Sequence, residues 1–419
     1  MKKTWRFISD YSILLISGAL LALIWANISP HSYHAVVDFV LFEGGVIGHL
    51  SADHGHGPGR VLTFHYLVND VLMAFFFAVA GKEVWEAVIL PNGALRGKKS
   101  VTPLFATAGG MFGPIAVYLG LAILLGSDTY SAVANGWAIP TATDIAFSYL
   151  VGRIIFGRRH PAVTFLLLLA IADDAAGLAI LAIFYPSGEL NLQWLLLPLV
   201  ATATVYVLFN WLPRKLDNSR SGNPVSSIIE RRLSLIPYAI GGALCWYGFQ
   251  QSGLHPALGL LPIIVAIPHA GRDYGLFVHA EPKRLDMLNR IEHLLEKPVE
   301  VILLLFGLVN AGVEFSTFGT PTILVLLGLI VGKPVGIFIF GWVAAGPLRL
   351  GMPTGMNASD ILVVGFIAAI GFTVSLFIAT VAFDPGPVQD AAKMGALFSL
   401  GSAGLALLVA RLFPIKKME

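Results

Sequence analysis

The chain of 419 residues reads as an all-α integral membrane protein with about twelve transmembrane helices. Three observations predict this. The composition is 56% hydrophobic and only 12% charged, with mean hydropathy +0.77. A soluble domain is closer to half apolar and about a quarter charged, so this much apolar surface has no place in a core surrounded by water. Apolar segments bounded by glycine, proline and charge recur along the whole chain, each suited to a bilayer. Lysine and arginine alternate between the connections, as orientation by positive charge requires.

The segments centre near residues 20, 78, 113, 143, 173, 202, 243, 263, 306, 333, 370 and 402. The first runs from Tyr11 to Ile28 behind Lys2, Lys3 and Arg6. It is long for a leader and many spans follow, so it reads as an uncleaved helix. A Gly- and His-rich outside loop follows, about 43–60, whose apolar patches GVIGHL and RVLTF could pair as a hairpin. The inside connections carry Arg96, Lys98 and Lys99; Arg153, Arg158 and Arg159; Arg214, Lys215, Arg220, Arg231 and Arg232. The later ones carry Arg272, Lys283, Arg284 and Arg290, then Arg349, and the tail carries Lys416 and Lys417. The outside connections GSDTYS, PSGEL, QQSGL, STFGT and FDPGPVQD carry no Lys or Arg, and Arg60 in the first outside loop is the exception. Both termini are therefore expected in the cytoplasm. Residues 1–419 read as one polytopic transporter domain, with a cytoplasmic linker at about 214–232 and a charged, partly interfacial helix within Gly271–Lys297. Gly253 and Pro256 leave only a short gap between the seventh and eighth spans. The single cysteine, Cys245, excludes an intrachain disulfide and reads as a small buried hydrophobe. A formal charge of +2 gives no basis for nucleic-acid binding.

Function is sought where charge enters lipid. Asp173 and Asp174 interrupt the apolar run Pro161–Tyr185. A carboxylate at the bilayer centre costs roughly 2.5–3.5 kcal/mol on insertion scales, and two side by side disfavour each other's ionisation. Asp144 lies in the fourth span (AIPTATDIAF) and Lys333 in the tenth (IVGKPVG). Three acids and one base at one depth suggest a shared site. The backbone there is unusual too. Pro140 removes an N–H where Thr141 and Thr143 offer hydroxyls, Pro334 follows Lys333, and Gly365 and Gly371 punctuate the eleventh span. Such interruptions are tolerated only where protein or water satisfies the backbone. Asp144 suits a helix N-terminal end and Lys333 suits C-terminal carbonyls. The plain alternative is an Asp144–Lys333 ion pair that only braces the bundle. Adjacent helical residues point roughly 100° apart, so one lysine cannot pair both Asp173 and Asp174, and one carboxylate is left for an ion or a proton.

The motifs GWAIPTATDIAF, LAIADDAAG, NAGV, GKPVG and AIGFTVSLFIA closely resemble the NhaA-type sodium/proton antiporter family, over about residues 66–410. The resemblance implies inverted repeats (spans three to five and ten to twelve), with spans four and eleven unwound and crossing. It implies that Asp174 is the primary cation ligand. It makes Asp173 the neighbour linked to gating and to a salt bridge with Lys333, while Asp144 and Thr143 balance the helix dipoles and contribute oxygens. Na+ prefers carboxylate, hydroxyl and carbonyl oxygens, as hard cations do. Protons then compete with Na+ for the same oxygens. The implied activity is electrogenic exchange of cytoplasmic Na+, and Li+, for external protons in the bacterial inner membrane. No enzyme activity and no cofactor are expected, because the ions are cargo.

The resemblance further assigns pH response to Glu83 (AVAGKEVWEAV), to Glu292 and His293 (RIEHLLEKP) and to His255 (SGLHPALG). Trp85 and Glu86 stand where the family usually has basic residues, which bears on the pH set-point. Asp70 either lines the mouth of the second span or caps its end. The outside loop, with His49, His54, His56, His65 and Asp53, could hold Zn or Ni, or form part of a hairpin that joins a homodimer, as the resemblance implies. The rival readings are a cation-coupled symporter of an organic solute, an intramembrane aspartyl protease and a passive channel. No obvious arginine within the spans would hold a solute carboxylate, and a protease calls for single aspartates on two helices.

Overall fold

The computed structural model describes residues 13–50, 59–90, 93–97, 100–217, 233–268, 287–413, 415 and 417–418. Its principal helices, in chain order, are α1 (Ile13–Ile28), α2 (Phe64–Ile89), α3 (Val101–Leu124), α4 (Ser127–Thr141), α5 (Ile145–Phe156) and α6 (Pro161–Phe184). They continue with α7 (Leu192–Asp217), α8 (Ile236–Ser252), α9 (Met287–Asn310), α10 (Thr320–Ala345), α11 (Ala358–Ala368), α12 (Phe372–Ala382) and α13 (Pro387–Leu412).

Among the described residues, α2, α3, α6, α7, α10 and α13 are six helices long and apolar enough to cross a membrane. The bent pairs α4–α5 and α11–α12 raise the number to as many as eight. The chain is therefore an all-α, multi-pass membrane protein with broken helices. Length and composition do not reach the expected twelve. Helices α1 and α8 have only 16 and 17 residues. The centre near 263 holds only the turn Leu261–Ile264, because Gly253 and Pro256 divide the apolar stretch. Helix α9 begins with the charged sequence MLNRIEHLLEKP. That beginning is the described part of the expected interfacial helix, and it continues into α9 instead of forming a separate element. Lys2, Lys3, Arg6, Lys98, Lys99, Arg220, Arg231, Arg232, Arg272, Lys283, Arg284 and Lys416 lie outside the described residues. So do most of the 214–232 linker and Asp53, His54 and His56 of the outside loop.

The chain divides into two compact units. One comprises Phe39–Gly93 and Leu181–Leu303. It carries a small antiparallel sheet of β1 (Val40–Gly45), β2 (His49–Leu50) and β3 (Arg60–Thr63), in the order β1-β3-β2. The pairing expected between GVIGHL and RVLTF is present as His49 opposite Val61 and Leu50 opposite Arg60, and β1 joins the other edge of β3. The core of this unit includes Val205, Tyr238, Ile263, Ile267 and Leu288, with Cys245 fully buried among them.

The other unit comprises Met1–Asp38, Ala94–Ile180 and Leu304–Glu419. It holds two trios, each a long helix, a bent pair and a second long helix: α3, α4–α5 and most of α6, then α10, α11–α12 and α13. Helices α3 and α10 meet through two stripes of small residues, Gly109 with Gly113 and Gly332 with Gly336. A Cβ added at Gly332 would lie 2.6 Å from the Cα of Pro114, and one at Gly336 would lie 3.1 Å from the Cα of Gly113. Small residues at this spacing let helix backbones approach closely in lipid, where apolar burial does not drive association. The close approach leaves Lys333, beside Gly332, with 0% exposure. Leu124, Ile339 and Leu408 stay exposed, as a surface solvated by lipid tails permits.

Candidate functional site

Two chain breaks build the site. The last turns of α4 tighten into a 3₁₀ helix over Ala134–Thr141 that contains Pro140, and Ala142 is extended (φ −76°, ψ 152°). Asp144 then starts α5 as its N-cap, its carboxylate accepting from the Phe147 N–H at 3.1 Å. The two helices are bent by 52°. The second break separates α11 from α12 at Ala369–Gly371, with a bend of 49°. A side chain at Gly371 would displace Ser375 Oγ from its place in the turn.

Backbone groups freed inside a membrane protein need partners, and here the two breaks supply them to each other. The Asp144 N–H donates to the Ile370 carbonyl at 2.7 Å. Thr143 Oγ1 lies 2.9 Å from the Ala368 carbonyl. Ser148 Oγ donates to Ile367 at 3.1 Å, and Ser375 Oγ donates to Ile139 at 2.7 Å. Helix α13 contributes as well: Ser402 Oγ donates to Phe366 at 2.7 Å, and Ser399 Oγ accepts from the Gly371 N–H at 3.2 Å.

The charges complete the arrangement. Asp144 Oδ2 accepts from Thr373 Oγ1 at 2.5 Å and from the Thr373 N–H at 3.3 Å. One buried carboxylate therefore caps the starts of both α5 and α12, where helix dipoles present partial positive charge. Lys333 Nζ donates to the Thr141 carbonyl at the end of α4 and to Asp173 Oδ2 at 2.7 Å. Thr143 Oγ1 lies 2.7 Å from the same Asp173 oxygen. Its single proton serves Asp173 or Ala368 at any moment. Asp173 is 3% exposed. Asp174, the next residue in α6, is half-buried, and its carboxylate makes no hydrogen bond or close ion pair with the described residues.

Asp144, Asp173, Asp174, Thr143 and Lys333 are thus gathered in one unit. Lys333 engages one aspartate of the pair, as the 100° argument requires, and that aspartate is Asp173. The alternative Asp144–Lys333 ion pair does not form, because each serves the helix end of opposite polarity. Thr373, Ser148 and Ser375 were not singled out from the sequence. Thr373 and Ser375 lay within the quoted AIGFTVSLFIA motif, but which hydroxyls face the other break depends on the crossing.

The remaining candidates lie in the other unit. Glu83 and Glu292 converge on Lys82, with Nζ–Oε distances of 3.7 and 2.5 Å. Lys82 also contacts Glu86 at 2.6 Å and Asn289 at 3.2 Å. The i,i+4 spacing of Lys82 and Glu86 was the available signal for this pair. His293 instead meets Glu296 at 3.2 Å on a half-exposed face. His255 is buried, its Nδ1 accepting the Ala257 N–H at 3.3 Å and lying 3.6 Å from Asp70. A ring nitrogen that accepts an N–H carries no proton of its own, so this contact is no ion pair in that tautomer. His65 Nε2 lies 3.0 Å from Asn69. Among the described residues no group of three or more His, Cys, Asp or Glu side chains is placed to hold a metal ion.

The profile of the family described as Na+/H+ antiporter 1 matches residues 4–410. Curated relatives carry the name Na(+)/H(+) antiporter NhaA. One from Jannaschia sp. (strain CCS1) is 64% identical over 420 residues, covering 100% of both chains. One from Desulfitobacterium hafniense (strain DSM 10664 / DCB-2) is 43% identical, covering 100% of this chain and 98% of the relative. One from Geotalea uraniireducens (strain Rf4) is 42% identical with the same coverage.

Proposed function

The chain belongs to the Na+/H+ antiporter 1 family, and from that premise we propose that it exchanges cytoplasmic Na+, and Li+, for external protons at Asp174 and Asp173. The observation that carries the assignment is the unequal state of the two acids. Asp173 is held by Lys333 and Thr143, whereas the Asp174 carboxylate makes no hydrogen bond or close ion pair among the described residues. A carboxylate with free oxygens inside an apolar span needs a cation or a proton, and its site is neutralised by either. Competition for the same oxygens couples the two fluxes without a second pathway. Asp174 is the primary ligand, and Asp173 is the neighbour whose tie to Lys333 changes during exchange. Thr143 supplies oxygen, while Asp144 and Lys333 hold the helix ends that face the site.

In this reading more than one proton enters per Na+, so the exchange is electrogenic. The protein works in the bacterial inner membrane with both termini in the cytoplasm, and it pairs as a homodimer through the outside sheet. The cluster of Glu83 and Glu292 around Lys82 sets its response to pH, with His293 and His255 contributing. It is a transporter and no cofactor takes part. The test is dye-reported proton movement in everted vesicles containing the protein. Addition of Na+ or Li+ should collapse the imposed pH gradient, and Asp174→Asn should abolish the collapse while still reaching the membrane. Absence of collapse with either cation across pH 6.5–9 would sink the proposal, and normal exchange by Asp174→Asn would sink the ligand assignment.

A further inference from the structure

Two serines cross between the broken spans in reciprocal fashion. Ser148 lies one helical turn past Asp144, its N–H donating to the Asp144 carbonyl at 2.9 Å. Ser375 lies one turn past Gly371, its N–H donating to the Gly371 carbonyl at 3.0 Å. Each therefore occupies the same place after its break. Their hydroxyls do not turn back to those carbonyls, as mid-helix serines often do. Ser148 Oγ reaches Ile367 at the end of α11, and Ser375 Oγ reaches Ile139 at the end of α4. The second half of each span thus binds the carbonyl end of the other span's first half, where intrahelical donors run out. Both serines are 0% exposed.

We infer that Ser148 and Ser375 are positioning residues for cation exchange, a reciprocal pair that fixes the crossing of the two breaks. They touch neither Asp173 nor Asp174. They act through the residues beside their acceptors. Ile367 precedes Ala368, whose carbonyl faces Thr143 Oγ1, and Ile139 precedes the Pro140–Thr143 turn that carries Thr143 to Asp173. Loss of either hydroxyl frees the same crossing and lets Thr143 drift from the acid pair.

The inference rests on exchange at Asp174, so the unsubstituted chain is assayed beside the variants in everted vesicles. Ser148→Ala and Ser375→Ala should each raise the apparent KM for Na+ about 3- to 10-fold, the range one buried hydrogen bond commands, with maximal rate changed by less than about twofold. Because both hydroxyls hold one crossing, the double variant should lie within about twofold of the worse single, not at the product of the two. Ser148→Thr keeps a hydroxyl and should retain the unsubstituted KM. Where an alanine variant does not accumulate, Ser148→Cys replaces it, since its thiol fills the space but donates weakly, and the same rise in KM is expected. An unchanged KM, a loss confined to maximal rate, or singles that multiply in the double would overturn the inference while exchange by the unsubstituted chain stands. Absence of exchange in the unsubstituted chain would overturn both.

Discussion

Replacing Lys333 by methionine tests the electrostatics of the site most directly. Lys333 is fully buried, and its ammonium serves two acceptors, Asp173 Oδ2 at 2.7 Å and the carbonyl that ends α4. Methionine fills a similar volume without charge, so packing loss is small. The dominant effect is then the stranded carboxylate. Breaking a buried pair by removing one partner costs about 3–5 kcal/mol, although a carboxyl in such a place can take up a proton, which caps the loss. Lys333→Met is expected in that range, and so is Asp173→Asn, which strands the ammonium instead. The double variant strands no charge. It should retain about 1–3 kcal/mol of loss from the unmet Thr141 carbonyl, well below the sum of the singles. Unfolding of the purified protein in mixed detergent micelles measures all three against the unsubstituted chain. The reasoning is refuted if Lys333→Met unfolds like the unsubstituted protein, or if the double variant loses the full sum.

Two further outcomes follow from the geometry. Thr373→Val removes a 2.5 Å bond to Asp144 and should lower unfolding stability by about 1.5–3 kcal/mol, as for hydrogen bonds to charged groups. Thr373→Ser should recover most of it, and equal stability of Val and Ser variants would show that the bond contributes nothing. Gly336→Ala pushes α10 off α3 at the Gly109 backbone and should cost about 1–3 kcal/mol by overpacking. Gly120→Ala, in the same α3 with open space around it, should stabilise by about 0.5–1 kcal/mol through helix propensity. Measured melting that ranks the two glycines alike would contradict the close-packing argument.

Much of the membrane architecture was legible in the sequence, because lipid allows few solutions. Apolar runs marked α2, α3, α6, α7, α10 and α13, and Pro140 and Gly371 marked the breaks. Where long helices among the described residues do not match every expected span, the reason is physical as well. Hydropathy windows cannot tell a full span from the short helical piece near residue 263, since both are equally apolar. Nor do they reveal that the charged sequence before Lys297 continues as one helix into α9. The Lys82 cluster was read only in part: Glu86 shares α2 with Lys82 at i,i+4 spacing, whereas Glu292 comes from α9, which no local pattern joins to it.

The sequence by itself determined that acids stand where lipid tolerates almost none, that one lysine cannot satisfy both members of an adjacent pair, and that prolines and glycines interrupt the apolar pattern of the surrounding spans. These follow from local composition and helical geometry. The resemblance already implied that Asp173 takes the lysine; only the tertiary structure decided that Asp144 caps two helices at once, and that Ser148 and Ser375 reach across the breaks instead of back along their own helices. Each of those outcomes depends on how two bent spans cross. That crossing is held by hydrogen bonds between residues more than two hundred positions apart, which no local pattern along the chain encodes.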